Sequence, residues 1–190
     1  LESLIVSKVN YNDIIVGDKN ALLIASRVLG YGKDYSFKAQ STVTNQLENF
    51  TVDLTTLNDK ELKNKDLKEV GINEFEYTLP TTNKLITYKL LTHGDETAIA
   101  KEIQGQNKIR PGSNPEISTR LKYIITSIDG DSDKKTIREF VDNYLLAKDS
   151  RSLRTEIKRV APDVELKYHG EDGQEDINIP ISLNFFWPDF

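Results

Sequence analysis

The sequence predicts an α+β protein with antiparallel hairpins towards both ends and a helical middle, and three observations carry that reading. Apolar residues alternate with polar ones at Phe75, Tyr77 and Leu79, and again at Ile177, Ile179 and Ile181, which is the period of a half-buried strand. Between these stretches apolar residues recur at three- and four-residue spacing, the period of a helix with one buried stripe. Turn-forming residues separate the strand runs, as in Pro80-Thr81-Thr82-Asn83. Hairpins segregated from helices define α+β rather than an alternating parallel fold.

In chain order, a helix is expected from about Asp18 to Leu29, with Asp18 as N-cap, Gly30 and Gly32 as stops, and Lys19 and Arg27 left to solvent. Strand runs follow at Tyr35–Ala39 and Phe50–Leu54, joined by the polar loop Gln40–Asn49. The charged stretch Asn58–Val70 reads as weakly helical. A second hairpin pairs Glu74–Leu79 with Leu85–Leu91. A short helix covers Asp95 to about Gln104. Asn114 as N-cap and Pro115 at the first helical position open a further helix, in which Ile117, Leu121, Ile124, Ile125 and Ile128 continue the spacing to Gly130. Ile137, Phe140, Val141, Tyr144 and Leu145 mark the next helix, with Asp131 and Asp133 at its positive end. Another carries Leu153, Ile157 and Val160 and is stopped by Pro162. Val164, Leu166 and Tyr168 then pair with Ile177 to Leu183 across Gly170 and Gly173 as a third hairpin. The first and last hairpins are expected to share a sheet. The chain reads as one domain over 1–190, with a helical subregion over 95–161.

Composition narrows the function. With 37% hydrophobic and 29% charged residues in 190, the chain can bury a core without covalent staples. It holds no cysteine, so disulfides and thiolate ligands are excluded. It also holds no methionine and begins at Leu1, and it is read as lacking its true start. A net charge of −5 does not suit a general polyanion binder. No run of apolar residues is long enough to span a bilayer. A soluble protein of a reducing cytoplasm, or of a particle assembled there, fits these features.

The chemical motifs are sparse. There is no Gly-x-Ser-x-Gly elbow, phosphate loop or dinucleotide fingerprint. His93 and Asp95 offer a base and its orienting carboxylate, but a solvated turn histidine is the simpler reading. Asp129-Gly130-Asp131-Ser132-Asp133 begins like a calcium loop, yet Lys134 and Phe140 stand where Gly and Glu are required, so helix capping explains the aspartates. Arg151, Arg154 and Lys158 share a helix face that could meet phosphate. In an acidic chain, a solvated or protein-contacting face is preferred. The terminal aromatics either plug the core or anchor an interface.

Several segments together resemble the baseplate hub and hub-assembly proteins of T-even-like contractile-tailed bacteriophages. They are Val16-Gly17-Asp18-Lys19 with Ala25-Ser26-Arg27-Val28-Leu29-Gly30-Tyr31-Gly32 and Tyr35; Val52-Asp53-Leu54; Leu79-Pro80 with Leu90-Leu91-Thr92-His93-Gly94-Asp95-Glu96; Phe140-Val141-Asp142-Asn143 followed by Asp149-Ser150-Arg151-Ser152-Leu153-Arg154; and Phe185-Phe186-Trp187-Pro188. Their order spans nearly the whole chain. Such relatives often carry two Cys-x-x-Cys knuckles of a zinc ribbon. Here the knuckles align with Ser41-Thr42-Val43-Thr44 and His169-Gly170-Glu171-Asp172-Gly173. The fold implied is thus degenerate zinc-ribbon-like, held by strands. Ser41, Thr44, His169 and Asp172 do not make a closed zinc site, because hydroxyls are poor zinc ligands.

The resemblance implies a non-enzymatic component of a phage tail baseplate hub, acting by contacts with other baseplate or hub proteins and possible as a homo-oligomer within a ring. The alternatives are a cytoplasmic assembly chaperone absent from the virion and a nucleic-acid-binding ribbon; an enzyme using His93 and Asp95 ranks last. No cofactor, membrane or nucleic acid is expected. Phe185, Trp187 and Phe190 are assigned to the partner interface, with Phe186 facing the core. Asp149, Ser150, Arg151 and Arg154 are assigned as an organising box, in which Asp149 or Ser150 caps the helix and Arg151 forks onto an acceptor.

Overall fold

The computed structural model describes residues 9–60, 71–112, 114–170, 173–181 and 183–186. Helices and small antiparallel sheets give an α+β protein, as the periodicities require. Where the sequence suggested one domain, the chain divides into two compact units. One is built from the described residues of Gly17–Glu61 and Pro162–Phe190, the other from those of Val9–Val16 and Leu62–Ala161.

In the first unit, helix α1 (Val16–Tyr31) precedes strands β1 (Asp34–Gln40) and β2 (Leu47–Asp53). The register sets Tyr35 opposite Val52 and Phe37 opposite Phe50, so all four share the buried face. Both strands are longer, and the loop shorter, than the polar run 40–49 suggested, because Asn45 takes a left-handed conformation at φ 57° and lets the chain reverse tightly. Strands β6 (Lys167–Tyr168) and β7 (Ile177–Asn178) form the third hairpin, extended by a bond from Ile179 N–H to the Leu166 carbonyl at 3.0 Å. Among the described residues it forms its own two-stranded sheet and does not share one with β1 and β2. Both hairpins and α1 contribute to one core, with Ile24, Phe37, Val164 and Ile177 buried in it. Asn58–Lys60 is not helical: Asp59 bridges to Val164. The remainder of the stretch expected as a weak helix, 61–70, lies outside the described residues.

The helix α1 face differs from expectation. Ile24 and Arg27 are its buried residues, whereas Leu29 is 88% exposed. Arg27 does not face solvent; its guanidinium donates to the carbonyls of Gly32 at 3.0 Å and Asp34 at 3.4 Å and lies over the Tyr31 ring. It thereby satisfies backbone acceptors just beyond the helix end. Gly17 is required by space, since a Cβ there would stand 1.7 Å from the Pro162 carbonyl oxygen.

In the second unit, β3 (Phe75–Thr78), β4 (Leu85–Tyr88) and β5 (Ile125–Ile128) form one antiparallel sheet in the order β3-β4-β5. Phe75 and Leu79 are buried, as their alternation predicts. Helix α2 (His93–Ile109) opens on a reciprocal cap: the Thr92 hydroxyl takes the Asp95 N–H while Asp95 takes the Thr92 N–H. Helix α3 (Glu116–Ile124) starts one residue later than expected, with Pro115 rather than Asn114 at the N-cap. It also stops early. Ile125–Ile128, expected as helix, is strand, pairing Ile128 with Ile86 and Ile125 with Tyr88. Helix α4 (Lys134–Glu139) passes into a wider π turn over Phe140–Tyr144, closed by Leu145 N–H on the Phe140 carbonyl at 2.8 Å. That winding buries Phe140 and Val141 and leaves Tyr144 60% exposed, off the apolar face assigned to it. Helix α5 (Ala147–Val160) buries Leu153 and Val160, and ends before Pro162.

Candidate functional site

The aligned knuckle positions lead to a hydrogen-bonded clasp in the first unit. Ser41, at the end of β1, is buried, and its hydroxyl oxygen accepts the N–H groups of Val43 at 3.1 Å and Thr44 at 3.0 Å. The same hydroxyl donates to Glu175 Oε1 at 2.6 Å, across from the loop before β7. Glu175 Oε2 accepts from the Thr42 N–H at 2.9 Å and the Thr42 hydroxyl at 2.8 Å. The Thr42 hydroxyl in turn accepts the Asp176 N–H at 3.1 Å. The hydrogen bond from the Ser41 hydroxyl leads the causes that hold the Glu175 carboxyl below its ordinary range, with those from Thr42 adding to it against some burial. Thus the two loops meet, but through hydroxyls and a carboxylate. Thr44 turns instead to Glu48. His169 is exposed and contributes its carbonyl, which accepts the Glu175 N–H at 3.0 Å. Asp172 lies outside the described residues. No group of three His, Asp or Glu that could hold a metal occurs among the described residues.

The Asp149 box organises the second unit, though not by capping α5. Asp149 lies within that helix and is fully buried. Its Oδ1 accepts the Thr81 N–H at 2.8 Å; its Oδ2 accepts the Thr82 N–H at 3.1 Å and the Thr82 hydroxyl at 2.9 Å. It therefore clamps the β3–β4 turn. Burial alone would push this carboxyl up, but the hydrogen bonds from Thr81 and Thr82 outweigh it and hold the group below its ordinary range. The helix N-cap is Leu146, with no side-chain cap, and Ser150 is a helical residue. The expected fork from Arg151 is absent: its side chain is exposed and has no hydrogen-bond or ion-pair partner among the described residues. Arg154 is exposed and reaches only back to the Ser150 carbonyl at 3.4 Å. With exposed Lys158 these arginines lie on the solvent side of α5.

Of the terminal aromatics, Phe185 is corrected from interface to core. Its ring is fully buried and packs edge-on to Tyr35 at 4.9 Å. The chain there is a helical turn, α6 (Leu183–Phe186), so the strand alternation used to assign faces does not apply. Phe186 packs against the same core from a partly buried position. Trp187 and Phe190 lie outside the described residues.

The remaining candidates make the following contacts. The His93 ring lies 4.4 Å from that of Tyr11, centroid to centroid. Asp95 is committed to the Thr92 cap and to Lys89 at 2.8 Å, and among the described residues it makes no hydrogen bond to the His93 ring. Asp133 caps α4 through the Thr136 N–H, as expected, while Asp129 takes Lys84 and the Leu85 N–H. Glu175, Thr42 and Arg27 were missed as key residues. Glu175 follows Gly173 in a loop facing a Ser-Thr-rich turn, which is the available signal for a carboxylate–hydroxyl pairing.

Comparison with protein-family models, with curated proteins and with solved structures gives no significant match.

Proposed function

We propose that this chain is a structural or assembly component of a contractile phage tail baseplate hub, acting through protein contacts. The observation that carries the reading is how the resembling segments are used. The turn residue Thr81, directly after the Leu79-Pro80 segment, donates its N–H to Asp149, 68 residues further on. The Arg27 to Tyr35 segment meets Phe185 through the Tyr35 ring. Segments that carry the resemblance, or directly adjoin it, thus take part in contacts within each unit, which supports the reading. Leu47, 73% exposed, and Ile109, 80% exposed, offer apolar side chains at which such contacts can be tested. No helix among the described residues is long and apolar enough to cross a membrane.

Co-expression with the baseplate hub proteins of a contractile-tailed phage tests this. The chain should co-purify with a hub protein at a fixed ratio and appear in purified virions. Co-purification without presence in virions would favour the assembly-chaperone form. Failure to co-purify would remove the reading.

A further inference from the structure

The second unit contains a cleft of about 420 Å³ beside β5 whose chemistry suits an oxyanion. Lys89, Lys122, Lys134 and Arg138 line it, against Asp95 as the acidic lining residue. The floor is apolar, from Ile125 and Ile137, both buried. This concentration of cations stands in a chain of net charge −5. We infer that the cleft binds a small oxyanion of the phosphate or carboxylate type, through Lys122, Lys134 and the Thr126 hydroxyl. The inference is independent of the assembly role.

Three observations single out those groups. The Lys122 side chain is only 9% exposed, and among the described residues its ammonium makes one ion pair, with Asp142 at 2.7 Å, which is itself half-exposed, while Glu102 adds a weaker field. A desolvated ammonium with one carboxylate keeps donors to spare and is costly unless a further acceptor arrives. The Thr126 hydroxyl is buried with no hydrogen-bond partner among the described residues, an arrangement that folding alone disfavours. Lys134, exposed at the rim, has no ion-pair partner among the described residues. Lys89 and Arg138 are engaged by Asp95 and Glu102, so they contribute field more than free donors.

The test is an amide NMR titration of the full chain with inorganic phosphate and, separately, with propionate, each against sodium chloride at matched ionic strength. Saturable shifts centred on Ile125, Thr126 and Ser132 are expected with at least one probe. Phosphate alone would identify a phosphoryl-type ligand, and propionate a carboxylate such as a side chain or chain terminus. Lys134→Ala should weaken binding about tenfold, as loss of a charge-assisted bond does. Thr126→Val should weaken it by a similar factor while leaving the melting temperature equal or higher, because an unpartnered buried hydroxyl is removed. Should Thr126→Val fail to fold, Lys134→Ala carries the test alone. Shifts no larger than those from chloride, or affinities unchanged in the folded variants, would overturn the inference.

Discussion

Asp149 bears a negative charge in a fully buried site where Thr81 and Thr82, not a cation, supply the compensation. Replacing it by Asn swaps one acceptor for a donor facing an N–H, which should cost about 1–3 kcal/mol, measured by urea unfolding. The sign of its pH dependence follows from its lowered carboxyl. The folded protein prefers the ionised form, so the stabilisation is complete above the ordinary value of 3.8 and is lost as pH falls through the folded pKa. Asp149→Asn should flatten that acid limb. Gly17→Ala meets the Pro162 carbonyl and must displace backbone, so a loss of about 1–3 kcal/mol is expected by analogy with overpacking. Arg151→Lys, by contrast, should change stability by under about 0.5 kcal/mol, since the exposed side chain holds no acceptor. A thermal melt well below the parent would show a contact that the structure lacks. Asp149 was legible as important but not in its role: a carboxylate in a first helical turn reads as a cap, and only the fold brings a hairpin turn to it.

At the scale of elements, the Ser41–Glu175 clasp holds two hairpin loops by hydrogen bonds where a ribbon would use metal. The folded carboxylate is again favoured over its acid form, so the clasp is intact above the ordinary value of 4.5 and opens as pH falls through its lowered folded pKa. The Thr42 amide resonance should titrate in that acid range and lose the transition in Glu175→Gln. Added zinc should leave the melting temperature unchanged, and elemental analysis should find well below one zinc per chain; a stoichiometric ion would contradict the clasp. Helix and strand periods were readable wherever one period ran alone, as at 75–79 and 153–160. They failed at 124–128, where Ile124, Ile125 and Ile128 fit helical spacing. The β-branched run Ile124-Ile125-Thr126 and the open edge of β4 decide for strand. The tail failed in the opposite sense: alternation suggested strand, and a helical turn puts Phe185 in the core.

For the whole molecule, the class α+β was legible because hairpins and helices segregate along the chain. The division into two units was not, because the first unit joins 17–61 to 162–190 across the second, and long-range pairing leaves no local signal. The functional reading rests on ordered short segments, some of whose residues, such as Asp149 and Tyr35, make contacts within the units, and it remains a proposal. The proposal is that the exposed apolar groups of this fold meet other hub proteins. Co-expressing the chain with the hub proteins and resolving the products by size-exclusion chromatography tests this most directly. The account predicts a complex of fixed stoichiometry that survives moderate salt and is weakened by Leu47→Ser or Ile109→Ser with the fold intact. Elution of the chain alone, with every hub protein running free, would contradict it.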